Sequence, residues 1–453
     1  MIRQLTAKHI GFPIQDYSRK TKIIPTLKLL KESEHWDKEQ MYNYRLSKLK
    51  NLVAYAYKYV PYYTELFNEI NITPDDIKTL EDIKKIPILT KEIARVNQEK
   101  LVSINIANYK NIKKGKTGGT TGVPLVVYSD PNNRSFTWAS YYRWYSWIGL
   151  KKEDRVLSLW GAKTVTKMTL KMKLFVKTID WVQNNKTINS FNINEETLPQ
   201  VYDQIIKYNP ALIKGYLSAI ILVAKYIQKN NLPINGNLKA ISSTSETLLP
   251  MYRDLVEEVF KVPIYDQYGC GEVSAISYEC SKHKGLHVNE EHVYVESLDK
   301  NDTDIYNEKG RLIATSLDNY VMPFIRYENG DMTTLLTEKC TCGLSSSLMG
   351  NIDGRIADTI TLKNGAKVHG VFFTSLLSEV GITTDIISRF QIYQYKSGTI
   401  DFKFEVERNI PCYLNEKFKT EIRKFFNKVN VSFVHFIPNE HTGKFKYIKS
   451  EIS

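Results

Sequence analysis

Residues 115–124 read GKTGGTTGVP, with Lys114 just before them and the β-rich run Leu125–Tyr128 just after. Gly115, Gly118, Gly119 and Gly122 leave backbone N–H groups accessible. Thr117, Thr120 and Thr121 supply hydroxyl donors, and Lys114 and Lys116 supply positive charge. Amides of a glycine-rich loop, joined by hydroxyls, make a concave donor array suited to phosphate oxygens. Two common phosphate-loop patterns do not describe this segment. The GKT at 115–117 has Lys110 where the P-loop pattern needs a glycine, GxGxxG is absent, and the loop is expected to precede a strand rather than follow one. A second cluster has metal-ligand character. Cys280, Cys340 and Cys342, with His283 or His287, offer three sulfurs and one imidazole from two loops, which suits a closed, structural tetrahedral zinc site; spacing alone leaves both histidines open.

The phosphate-loop segment resembles the signature of the adenylate-forming superfamily (acyl-CoA synthetases, luciferase, peptide-synthetase adenylation domains). YVPYYTELF (59–67) and TLEDIKKIPILTKEIARVN (79–97) narrow the likeness to its phenylacetate–CoA ligase and CapK-like branch. Further motifs follow in that family's order. STSETLL (243–249) places Ser245 and Glu246 at the nucleotide. YDQYGCGE (265–272) is similar to the Tyr-Gly-x-x-Glu element, which implies Tyr268 and Gly269 beside the adenine and Glu272 on magnesium, a hard cation that favours carboxylate oxygen. RYENGD (326–331) implies that Asp331 accepts the ribose hydroxyls, as a bidentate carboxylate is able to. DGRIAD (353–358) implies Arg355 near the nucleotide and Asp358 at a pivot between a large and a small domain. PNEHTGKFK (438–446) resembles the Pro-x-x-x-x-Gly-Lys element, which makes Lys444 the adenylation lysine, although Asn439 stands where a basic residue is common. Lys444, Glu272 and Thr121 are the implied catalytic residues, and Thr117, Gly118, Gly119, Thr120, Thr121 and Gly122 the phosphate cradle. The branch's six-residue Cys-to-His spacing selects His287 over His283 as the fourth zinc ligand.

The elements that must position these residues are legible in outline. Residues 1–95 read as mainly helical, with starts at Thr73, Thr79 and Thr90. From about 100 to 350, short β-rich runs (155–160, 211–214, 240–242, 264–266) alternate with helical stretches (217–229, 250–260), which implies a largely parallel sheet flanked by helices. Strands dominate from about 285 and form a β-rich lobe. After Asp353 short strands (359–362, 390–395, 400–406) and one helix (414–428) read as a small α+β domain. The expected fold is therefore α/β, with a large domain over 1–354 and a small mobile one over 355–453.

The chain of 453 residues is 42% hydrophobic and 25% charged, a composition that excludes disorder. MIRQLTAKHIGFPIQ lacks an apolar signal core, and the most apolar run, 217–224, is far short of the roughly 20 residues of a membrane span. Five cysteines imply a reduced, cytoplasmic setting. The net charge of +13 favours anionic partners. The basic stretch 163–177 reads as a solvated face or a contact with a membrane surface. No nucleic-acid-binding pattern is present and the basic residues are dispersed, so no nucleic acid is expected. The implied chemistry is ATP- and Mg-dependent activation of a small carboxylic acid as acyl-adenylate, followed by transfer to coenzyme A. The alternatives are transfer to an amine or hydroxyl in surface polysaccharide synthesis, or a non-catalytic nucleotide- or nucleic-acid-binding protein. A homodimer is expected by likeness to the branch.

Overall fold

The computed structural model describes residues 11–452 except 117–124, 162–168, 170–177, 179, 182, 235, 353–358, 407–409 and 441–443. Thr117, Gly118, Gly119, Thr120, Thr121, Gly122, Arg355, Asp358 and the lysines of 163–177 lie outside the described residues. The chain divides into two compact units, one built from 1–154, 182–184 and 267–351, the other from 155–181, 185–266 and 352–453.

In the first unit the helices Ile23–Ser33, Lys38–Tyr59 and Pro61–Glu69 follow one another. Asp37 and Gln40 form a reciprocal capping box at the start of the second, and Pro61 opens the third at a position that needs no N–H. Leu49, Leu52, Val53 and Ala56 are the buried stripe of the Lys38–Tyr59 helix. The helical starts expected at Thr73 and Thr79 instead open 3₁₀ turns, Pro74–Asp76 and Glu81–Lys85. Ile77, Leu80, Ile83, Ile86 and Leu89 are all buried and stand three apart, the period of a 3₁₀ path rather than an α-helix.

A mostly antiparallel sheet follows, in the order Gln267–Cys270, Ser274–Glu279, Leu286–Val288, Leu348–Met349, Tyr327–Leu336, Lys309–Ser316, Val293–Leu298; Leu89–Thr90 pairs in parallel with Tyr327–Glu328. The helix Pro131–Trp147, capped by Asp130, packs on it. Arg143 is the knot of this unit. Its guanidinium donates to Leu30 O (3.1 Å), to Glu291 Oε1 (2.6 Å) and Oε2 (3.1 Å), and to Asn289 Oδ1 (2.9 Å), and it is 2% exposed.

In the second unit the strands Ile264–Asp266, Ala240–Thr244, Leu212–Tyr216, Val156–Leu159 and Asn185–Ile188 lie side by side, all parallel. The helices Leu198–Tyr208, Leu217–Lys229 and Pro250–Phe260 bury apolar faces in the same core. Residues from 360 onward add a four-stranded sheet, Val429–Val434, Ile400–Glu405, Arg389–Gln394, Ile448–Ser450, and the helices Gly370–Val380 and Cys412–Ile422. The α/β class is as expected.

The last helix stops at Ile422 rather than running on to 428. Phe425 and Phe426 are adjacent and both enter the core, against Phe372 (5.0 Å) and Phe373 (6.4 Å). Successive positions on a helix point in different directions, so the chain leaves the helix to bury both. The polar strand Asn185–Ile188 and the helices Pro131–Trp147 and Gly370–Val380 were not expected from the pattern. No helix among the described residues is long and apolar enough to cross a membrane.

Because truncating one member of a buried ion pair leaves an uncompensated charge, Arg143→Ala should cost about 3–5 kcal/mol, and Arg143→Lys should restore little because an ammonium lacks the planar fork. The urea midpoint of the purified variants measures this. A midpoint within error of the wild type would contradict it.

Candidate active site and metal centre

Tyr268 and Asp331 come from different strands of the first unit and meet directly. Tyr268 Oη donates to Asp331 Oδ2 at 2.6 Å. Asn329 Nδ2 donates to Tyr268 Oη (2.6 Å) and to Asp331 Oδ2 (2.9 Å), and the Asp331 N–H returns a bond to Asn329 Oδ1 (3.0 Å). Gly330, at φ +87°, sits within the strand Tyr327–Leu336 where its pairing shifts register, and lets residues 329 and 331 bond to each other. Burial, and then the Asp331 carboxylate, hold the Tyr268 phenol well above its usual range, so it stays a donor. Gly269 has a packing reason as well: a Cβ there would meet Ser274 O at 2.3 Å, at a bulge in the strand pair.

Glu272 is 5% exposed. Its Oε1 accepts the Tyr327 hydroxyl at 2.9 Å, and its Oε2 has no hydrogen-bond partner among the described residues. One oxygen fixed, and one without a partner among the described residues, fits a carboxylate that would hold a hard cation. Arg326, first in its motif, acts elsewhere. It pairs with Glu296 (2.9 Å), donates to the carbonyls of Lys84 and Ile86, and anchors the strand that carries Tyr327, Asn329 and Asp331.

In the second unit Lys444 ends a loop whose base is held by Arg389. This arginine, 1% exposed, donates to Glu405 (3.2 and 2.7 Å), to Ile437 O (2.8 Å) and to Asn439 Oδ1 (2.9 Å). Glu405 also accepts the Ile437 N–H at 2.6 Å. Glu440 N–H donates to Lys444 O, and Gln391 Nε2 to Lys446 O, both at 2.8 Å. The departure at 439 thus has a local reason: the neutral amide accepts from Arg389, whereas a basic residue would set a second cation against it.

Ser245 sits at φ +70° in the turn after Ala240–Thr244, an uncommon conformation for a side-chain-bearing residue. The next residue, Glu246, is engaged with protein. Its Oε2 accepts Ser218 N–H (2.6 Å), and its Oε1 accepts the Ser218 hydroxyl (2.9 Å) and Phe445 N–H (2.7 Å).

Cys280, His287, Cys340 and Cys342 are brought together, with ligand atoms all within 4.8 Å of one another. Cys280 and Cys340 Sγ lie 3.6 Å apart, and two sulfurs at about 2.3 Å from a tetrahedral zinc would be about 3.8 Å apart. His287 Nε2 faces Cys342 Sγ at 3.2 Å, and Ser346 Oγ holds Nδ1 at 3.0 Å, which orients the ring. Burial lowers His287 to about 4, leaving the neutral imidazole that a metal requires. Burial pushes the Cys280 thiol up to about 12, so a thiolate there needs a cation beside it. His283 instead pairs with Glu279 at 3.0 Å. The residue set fits zinc.

The sequence reading passed over Asn329, Tyr327, Arg389 and Ser218. Asn329 and Tyr327 lie inside the RYENGD motif and were in view. Arg389 and Ser218 have no local signal, since their partners stand up to 50 residues away in sequence.

The family model described as CapK C-terminal domain matches residues 360–451. Among curated proteins, a phenylacetate-coenzyme A ligase of Thermus thermophilus is 25% identical over 86% of this chain and 85% of its own length. Protein CapK of Staphylococcus aureus is 27% identical over 66% of this chain and 63% of its own. Among solved structures, a 2-hydroxyisobutyryl-CoA ligase in complex with 2-HIB-AMP in the postadenylation state superposes with a TM-score of 0.73 at 18% identity, covering 90% of this chain and 89% of that one. A benzoate CoA ligase from Burkholderia xenovorans does so with a TM-score of 0.51 at 17% identity, over 71% and 66%.

Thiol reactivity follows from this geometry. In chelator-treated protein at pH 8, iodoacetamide should label the exposed Cys412 first, whereas Cys280, with its thiol near 12, should stay unlabelled until unfolding. Peptide mass mapping reads the order, and early labelling of Cys280 would contradict the buried placement.

Proposed function

We propose a reaction for this chain, which belongs to the adenylate-forming ligases in the phenylacetate–CoA ligase and CapK-like branch: activation of a carboxylic acid by ATP as acyl-adenylate, then acyl transfer to coenzyme A. A carboxylate oxygen attacks the α-phosphorus, the bond to the β-phosphate oxygen breaks, and pyrophosphate leaves. The thiol sulfur then attacks the acyl carbon, AMP leaves, and the thiol proton passes to solvent. No protein nucleophile is needed, so catalysis rests on positioning and charge neutralisation.

The observation that carries this reading is the Tyr268–Asn329–Asp331 set. Two donors on one carboxylate oxygen fix the plane of Asp331 before any ligand arrives, which suits an acceptor for the two ribose hydroxyls. Lys444 answers the charge that builds on the carboxylate and α-phosphate oxygens. Glu272 would hold magnesium, which supplies further neutralisation of the phosphates when bound. Thr117–Gly122, with Thr121 at the reacting phosphate, are proposed as the phosphate cradle, Arg355 as a nucleotide contact, and Asp358 as the pivot of a mobile 355–453 domain. Cys280, His287, Cys340 and Cys342 would hold a structural zinc that ties the hairpin 274–288 to the turn at 340–343. The need for ATP, coenzyme A and reduced thiols favours a cytoplasmic setting.

A second reading has its own support. The chain is similar to the CapK C-terminal domain over 360–451, and the resemblance to the CapK-like branch implies the alternative acceptor, an amine or hydroxyl of a surface-polysaccharide precursor in place of coenzyme A.

ATP–pyrophosphate exchange over aryl, short aliphatic, amino and sugar acids tests the first half-reaction. Acid-dependent exchange is expected. Lys444→Ala should lower its kcat about 10²–10³-fold, the loss typical of removing one transition-state donor, with ATP binding nearly unchanged. Exchange by Lys444→Ala at the wild-type rate would contradict the assignment. For the metal, elemental analysis should find close to one zinc per chain, and Cys342→Ser should lose most of it and unfold at lower urea. A metal-free wild type of equal stability would refute the centre.

A further inference from the structure

The helix Leu217–Lys229 begins without a side-chain cap of its own, because its N-cap is Tyr216. Its first N–H groups therefore need an acceptor from elsewhere. Glu246, 28 residues on, takes that place, accepting both the N–H and the hydroxyl of Ser218. The positive end of the helix dipole and these two donors favour the carboxylate, and the Lys444 charge adds to this, against the burial that pushes its pKa up. The same Oε1 then accepts the N–H of Phe445, 199 residues away and adjacent to Lys444. A carboxylate offers about four acceptor positions. Three are taken by protein donors, which leaves little of Glu246 for a nucleotide.

We propose that Glu246 is a latch for the catalytic lysine: through the Phe445 N–H it fixes the backbone beside Lys444 against the capped end of the Leu217–Lys229 helix, and losing this bond loosens the lysine segment in the adenylation step. Glu246 is thus a positioning residue and not a nucleotide contact. The inference rests on Lys444 being the adenylation lysine. The segment is built for such a latch. Arg389 holds one end of the loop at Ile437 and Asn439, and at the other end the Phe445 bond to Glu246 stands beside the Gln391 bond to Lys446 O. Phe445 itself is buried, with its ring 4.6 Å from the Arg389 guanidinium, which keeps its N–H aimed the same way.

The test is Glu246→Leu in the full chain, with Glu246→Gln beside it. Leucine is similar in volume and accepts no hydrogen bond, so the Phe445 N–H loses its acceptor, whereas glutamine retains one oxygen for either the Ser218 or the Phe445 N–H and shows whether the fold tolerates the change. Two readouts are needed. Amide hydrogen exchange should quicken at Phe445 by about 10–100-fold, the loss expected for one hydrogen bond to a charged acceptor, with the Pro250–Phe260 helix unchanged. Pyrophosphate exchange should fall by a similar factor in kcat with little change in the KM for ATP, while transfer from a chemically prepared acyl-adenylate to coenzyme A is retained. Combining the change with Lys444→Ala should add nothing further. An unchanged Phe445 amide, a raised KM for ATP at constant kcat, or equal loss of both half-reactions would each overturn the latch. Quickened Phe445 exchange together with full activity of Lys444→Ala would sink the lysine's role instead, and with it the catalytic purpose of the latch.

Discussion

A lysine at the end of a surface loop serves chemistry only if both ends of the loop are held, and here a buried guanidinium holds one of them. Arg389 has a carboxylate, a backbone carbonyl and a side-chain amide around its plane, and the rings of Phe436 and Phe445 at 5.4 and 4.6 Å. Burying that charge costs free energy that the Glu405 pair and the hydrogen bonds offset, so the arrangement is stable only when all partners are present. These bonds hold the loop root at Ile437 and Asn439. Glu246 supplies the second constraint through Phe445.

The first unit solves a parallel problem with the same tools. Asp331 and Glu272 are acceptors whose orientation is set by phenols from other strands, Tyr268 and Tyr327. The strand carrying Tyr327 and Asp331 is anchored by Arg326 on Glu296 and on the carbonyls of Lys84 and Ile86. Arg143, Arg326 and Arg389 are each buried and multiply bonded, and each fixes an element that other residues use. In each case planarity is what matters, because one guanidinium satisfies acceptors in several directions at once.

Much of this was legible in the sequence where the signal is local. The helices at 217–229 and 250–260 show apolar periodicity and fall where expected. Tyr268, Glu272 and Asp331 sit in short motifs whose residue types suit their chemistry. What stayed hidden is long-range. No spacing rule links Glu246 to Phe445, or Arg143 to Glu291, and Arg143 and Glu291 look like ordinary surface charges until the fold buries them. The 3₁₀ turns over 74–85 were misread because a capping signal and apolar residues three apart mimic the start of a helix. The end of the Cys412–Ile422 helix was misplaced because two adjacent phenylalanines had to reach the core together.

The central claim is that the acid is activated by attack on the α-phosphate of ATP. Incubating the enzyme with an acid that supports exchange, labelled with ¹⁸O in its carboxylate, and with ATP and coenzyme A, tests it most directly. Mass spectrometry of the nucleotide product should find one heavy oxygen in AMP, carried over when the acyl–AMP bond is cleaved at the acyl carbon. Unlabelled AMP, or ADP with the label in inorganic phosphate, would contradict the acyl-adenylate route.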